Sequence, residues 1–160
     1  MIPAFDLNGE LPTGRYLATI LEFEQRFVNT FPSSVTRAKI YGGWRRRRDE
    51  LQSIVRVEQE WIDGSFVTGK SNPQDIDVVT FVLAHEIEAI TISDRRRVLE
   101  LTCGNHPKIV FGCDSYLVIV FPEDHPSYNE FLGYRGYWDN QWSRSRTGSQ
   151  KGYVEVRAEQ

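Results

Sequence analysis

Between Gly64 and Val82 the chain reads Gly-Ser-Phe-Val-Thr-Gly-Lys-Ser-Asn-Pro-Gln-Asp-Ile-Asp-Val-Val-Thr-Phe-Val. Its first eight residues spell the P-loop pattern G-x-x-x-x-G-K-S. A P-loop wraps backbone N–H groups around phosphate and runs straight into a helix, whose N-terminus adds its positive dipole end. Here Asn72-Pro73-Gln74 follows Ser71, and then comes a run rich in β-branched residues that predicts a strand. No three-turn helix fits in that gap. Lys70 is therefore expected in a strand-to-strand connection, and the P-loop reading lacks its structural context.

The same stretch has a second reading. "EQEWIDGSF" alternates and ends at glycine, as a strand feeding a turn does, and "DIDVVTFVL" is the next strand. On a strand, residues i and i+2 point to one face, so Asp75 and Asp77 project side by side. Two such acids repel each other without a cation. Carboxylate oxygens are the hard ligands that Mg²⁺ takes, together with phosphate oxygens. Gly64 lets backbone approach a phosphate closely, and the Ser65 hydroxyl can donate to it. The bland alternative is a solvated acidic edge beside a plain turn.

Gly-Ser, this spacer and an apolar-flanked Asp-x-Asp resemble the active-site signature of the DNA polymerase β-like nucleotidyltransferase superfamily. The chain as a whole looks like that superfamily's small single-domain bacterial members. The resemblance is clear over residues 58–82 and weaker over 108–121. It implies a mixed α/β (α+β) domain with a nucleotidyltransferase-type sheet flanked by helices. It also implies two Mg²⁺ ions (Mn²⁺ in their place is possible chemistry), an NTP, and transfer of an NMP to a hydroxyl on a protein or RNA. Such enzymes carry a third acid on a neighbouring strand. Asp114, at the head of "SYLVIVF", is the choice, with Glu86, Glu88, Glu100, Glu123 and Asp124 as competitors. Asp75, Asp77 and Asp114 are thus the expected catalytic and metal-binding residues. Gly64, Ser65 and Lys151 are the expected nucleotide contacts, and Lys70, Arg144 and Arg146 are further candidate cations. Small stand-alone members are often linked to toxin–antitoxin or phage-defence systems, so a cognate toxin is one candidate partner. The alternative of another class is a catalytically idle fold that serves as a regulatory or antitoxin-like binding module.

The rest of the chain sets bounds. At 160 residues a single domain is expected over 1–160, with residues 1–14 an irregular arm rich in turn residues. The formal net charge is −3, so no global positive field draws the chain to nucleic acid. Cys103 and Cys113 form no C-x-x-C, and His85, His106 and His125 do not cluster, so no zinc site is expected. No signal-peptide pattern opens the sequence and no apolar run spans a bilayer, so a cytoplasmic protein without membrane contact is expected.

Helical spacing predicts a helix over "RYLATILEFEQRFVNTF" and a second over "PSSVTRAKIYGGWRRRRDELQSIVRV". "ISDRRRVLELT" reads as helical, and "HPKIVFGCDSYLVIVFP" as one or two strands around Gly112. The aromatic, basic tail shows little periodicity before a short strand at "GYVEV", and its Tyr134, Tyr137, Trp138 and Trp142 are expected to pack on the sheet or on another copy. Arg45-Arg46-Arg47-Arg48 spreads around most of a helix, so a solvated charged face is favoured over a phosphate-binding patch.

Overall fold

The computed structural model describes residues 1–157, so the last three residues of the domain expected over 1–160 lie outside the described residues. Five strands form one mixed sheet: β1 (Gly14–Ala18), β2 (Val57–Asp63), β3 (Ile76–Leu83), β4 (Cys113–Val120) and β5 (Gly152–Arg157). Their order across the sheet is β1-β5-β2-β3-β4. β1 and β5 run parallel, as do β3 and β4, while β2 is antiparallel to both its neighbours. The mixed α/β class expected from the order of elements is what the chain adopts.

Helices cover both faces. One face carries Ile62, Val78, Val82 and Val154 into a core with α1 (Ile20–Glu24), α2 (Arg37–Gln52), α4 (Ile92–Thr102) and α5 (Asn105–Phe111). The other carries Trp61, Val79, Phe81 and Val118 against Phe131 and Trp142 of α6 (Tyr128–Trp142). A short α3 (Ala84–Ala89) follows β3 directly. β3 is apolar on both faces because helices cover both, which is why its sequence reads as a continuous apolar run.

Four expectations need correction. The first predicted helix starts late. Thr19 and Glu22 form a reciprocal capping box that fixes the helix start at Ile20, which leaves Arg15 to Ala18 extended to pair with β5. The segment before Gly112 is helix α5, not strand: Pro107 sits in its first turn, where a missing N–H costs nothing. The tail forms the fifteen-residue helix α6, whose Gly133 and Gly136 hide the helical pattern.

The fourth correction concerns the arginine run. Arg45 and Arg46 stay near the surface, but Arg47 and Arg48 are buried. Both bind Glu60 of β2, at 2.8 and 2.5 Å. Arg47 also donates to Thr80 Oγ1 and to the Leu101 carbonyl, each at 2.7 Å, and Trp44 Nε1 donates to Glu60 at 3.1 Å. The run is neither a phosphate patch nor a wholly solvated face. Half of it ties α2 to the sheet through one buried carboxylate, which the two guanidinium groups hold ionised against the cost of burial. Gly43 serves the same packing, since a Cβ there would lie 2.0 Å from the Phe111 carbonyl oxygen of α5.

Candidate functional site

β2 ends at Asp63, and the chain turns at Gly64 with φ +77°, a conformation that a side chain would strain. A single 3₁₀ turn, Ser65–Val67, follows. The loop then runs to Asp75 and enters β3 at Ile76 with no helix after Ser71, so Lys70 stands in a strand-to-strand connection. The Lys70 carbonyl is anchored from below by the buried Arg37 guanidinium, which also takes the carbonyls of Phe27, Phe66 and Thr68.

The register of the sheet lines up acids from three strands. Asp63 of β2 stands opposite Asp77 of β3, and Asp77 stands opposite Asp114 of β4. Asp75 lies two residues before Asp77. All four line one cavity of about 900 Å³. Gly64, Ser65, Lys70, Arg144, Arg146 and Lys151 line it too. Every site residue expected from the sequence therefore borders the same cavity. The competitors Glu86, Glu88, Glu100, Glu123 and Asp124 do not.

Two participants were not legible. Asp63 is one: a lone acid before a glycine reads in sequence as a turn residue. The alternation of "EWID" was the available signal, since it puts Asp63 on the face of Trp61 and Asp77. Asp63 is paired with Lys151, whose ammonium it holds in a buried contact, so Lys151 faces the cavity already committed. Lys108 is the second. It projects from α5, and its ammonium lies 3.1 Å from Asp75 Oδ2 and 2.9 Å from Asp114 Oδ2. With that segment read as strand, Lys108 could not be placed here.

Acids outnumber cations at the centre of the site, where Asp63, Asp75, Asp77 and Asp114 are met by Lys151 and Lys108. Burial, together with the carboxylates of Asp75, Asp63 and Asp114, pushes the Asp77 carboxyl up to about 6. Its two acidic neighbours raise the Lys108 ammonium above the ordinary lysine range. The donor chemistry suits a hard divalent cation: crowded carboxylate oxygens, with a cation already held between Asp75 and Asp114. In this arrangement no three acidic, histidine or cysteine side chains among the described residues converge to hold one metal ion. Lys108 takes the shared position. Its side chain is 47% exposed, so it can swing out to solvent.

Residues 3–157 match the model of a family of unknown function, DUF6932, and the chain belongs to that family. No curated protein matches the chain. No solved structure matches it either.

Proposed function

We propose that this DUF6932 protein is a Mg²⁺-dependent nucleotidyltransferase that moves an NMP from an NTP to a hydroxyl on a protein or RNA. The observation that carries this reading is the alignment of Asp77 with Asp114 across β3 and β4, with Asp75 beside them and the Gly64-Ser65 turn on the same cavity. Asp75, Asp77 and Asp114 would hold the metal once Lys108 moves aside. When bound there, Mg²⁺ neutralises phosphate charge and lowers the pKa of the attacking hydroxyl.

The chain's own residues do the rest. Gly64 carries no side chain to obstruct a triphosphate, and the Ser65 hydroxyl donates to a phosphate oxygen. Lys70, Arg144 and Arg146 border the cavity and offset charge that grows on the phosphate oxygens in the transition state. A bond forms between the acceptor oxygen and the α-phosphorus while the bond to the bridging oxygen breaks. Pyrophosphate leaves with the electron pair, and the hydroxyl proton passes to a carboxylate or to water. Cytoplasmic NTP would be the donor.

One observation favours a second reading. Lys108 bridges Asp75 and Asp114 as a tethered cation would in a fold that no longer binds metal. In that case the protein is an idle nucleotidyltransferase fold that acts as a regulatory or antitoxin-like module on a partner such as a cognate toxin. Calorimetric titration of ATP, GTP, CTP and UTP with Mg²⁺ separates the two. Metal-dependent binding of a nucleotide, lost in the Asp75→Ala/Asp77→Ala double variant, supports transfer. Absence of binding to the folded wild type favours the idle module.

A further inference from the structure

A second cavity, of about 820 Å³, meets the first at Asp114. Its lining shows where it runs. Asp114 and Tyr116 belong to one face of β4, and Ser115 and Leu117 to the other. A groove lined by both faces of a strand lies along that strand's edge. The α4–α5 turn at Cys103 and Gly104 forms one wall, and Gly133, Tyr134 and Trp138 of α6 form the other.

β4 is the last strand of the sheet, and among the described residues it pairs only with β3. The Ile76 N–H donates to the Gly112 carbonyl at 3.0 Å. Alternation along the ladder then directs the backbone groups of Asp114, Tyr116 and Val118 to β3. Those of Ser115, Leu117 and Ile119 face outward. Natural edges are normally blunted by lysine, proline or a bulge. β4 reads Cys-Asp-Ser-Tyr-Leu-Val-Ile-Val and has none of these. Ser115 is only 2% exposed, so the accessible stretch of this edge is at Leu117 and Ile119, both partly exposed. The opposite wall leaves open space at Gly133, where a Cβ would meet nothing within 4 Å.

We propose that this groove binds an extended, basic polypeptide segment, which adds to β4 as a sixth strand and delivers its side chains to the Asp114 end. Unpaired backbone groups supply the hydrogen bonds that such a strand needs. Charge selects the occupant. The charged residues lining the groove are Glu130 and Asp114, both acidic, with Lys108 paired to Asp114 from the neighbouring cavity. An RNA would bring phosphates against them, and a second copy of this chain would bring two more acids. A segment carrying lysine or arginine complements them. Docking stands independently of nucleotidyl transfer; only the consequence that a serine, threonine or tyrosine of the docked segment is the acceptor rests on that reading.

The test pans a displayed library of random ten-residue peptides against the protein without nucleotide or metal. The expected binders have net positive charge and slow the amide hydrogen exchange of Leu117 and Ile119. Gly133→Leu, which fills the groove, weakens them at least tenfold. Gly136→Leu, the same change on α6 at a position that does not line the groove, leaves them unchanged. Leu117→Pro, which removes one outward N–H, is the second variant and also weakens them. Asp75→Ala/Asp77→Ala keeps peptide binding, so loss of nucleotide binding and loss of docking are read separately. Four results would each overturn the proposal: no enrichment above wells coated with Gly133→Leu; binders indifferent to both groove variants; protection of β4 by oligoadenylate instead of peptide; or protection that grows with protein concentration alone, which marks a dimer.

Discussion

Gly64 and Asp77 touch so closely that a side chain at position 64 must displace the Asp77 carboxylate: a Cβ on Gly64 would lie 1.7 Å from Asp77 Oδ2. The turn after β2 and the central acid of β3 are therefore one unit, which holds the Asp77 carboxylate under the backbone that a phosphate would approach. Gly64→Ala strains a φ of +77° and displaces that carboxylate together. The expected cost is about 1–3 kcal/mol of stability, read by urea unfolding, with loss of Mg²⁺-dependent nucleotide binding.

Lys108 is expected to compete with metal. Lys108→Ala removes the cation shared by Asp75 and Asp114. Calorimetry should show Mg²⁺ binding strengthened several-fold, and NMR should show the Asp77 carboxyl titrating above its wild-type midpoint. Stability should change by less than about 1 kcal/mol, because the Lys108 side chain is half exposed and its ion pairs are screened by solvent. Unchanged Mg²⁺ affinity in this variant would show that Lys108 does not occupy a metal position.

The pH dependence of Asp77 has a definite sign. Its carboxyl titrates near 6 in the fold against an ordinary value of 3.8, so between those limits the folded state binds more protons than the unfolded state. From this group, stability is greatest below about pH 4, falls as pH rises toward 6, and stays reduced above it. Asp77→Asn should therefore stabilise the protein at pH 8, by about 1–2 kcal/mol once solvent screening is allowed for, and by little at pH 4. Thermal unfolding of both proteins at the two pH values measures the difference.

Glu60 should be the most sensitive polar position of the core. Glu60→Ala leaves Arg47 and Arg48 buried without their counter-ion and takes the acceptor from Trp44 Nε1. Loss of about 3–5 kcal/mol is expected, measured by urea unfolding. Glu60→Gln, which keeps the shape but not the charge, should still be clearly less stable than the wild type.

The two thiols should differ in reactivity. Cys103 is exposed at the wall of the β4 groove, while Cys113 is buried and its thiol is pushed up to about 12 by burial. A thiol reagent should modify one cysteine per native chain and both after denaturation, counted by mass spectrometry.

What the sequence determined by itself was local chemistry. A Gly-Ser turn, a spacer and an Asp-x-Asp on an apolar run fix their own backbone states, because glycine content, β-branching and period-two alternation act within a few residues. Those states sufficed to place Asp75, Asp77, Gly64 and Ser65 around one turn, and strand-head position sufficed for Asp114. The tertiary structure decided what depends on partners remote in the chain. Arg15 to Ala18 became a strand because β5 lay beside it. Arg47 and Arg48 went inside because Glu60 of another element waited there. Asp63 joined the acidic row and Lys108 came to bridge it only through sheet register and the angle of α5. Burial and pairing are properties of neighbours in space, and a helical pattern cannot say which of four consecutive arginines will find a carboxylate.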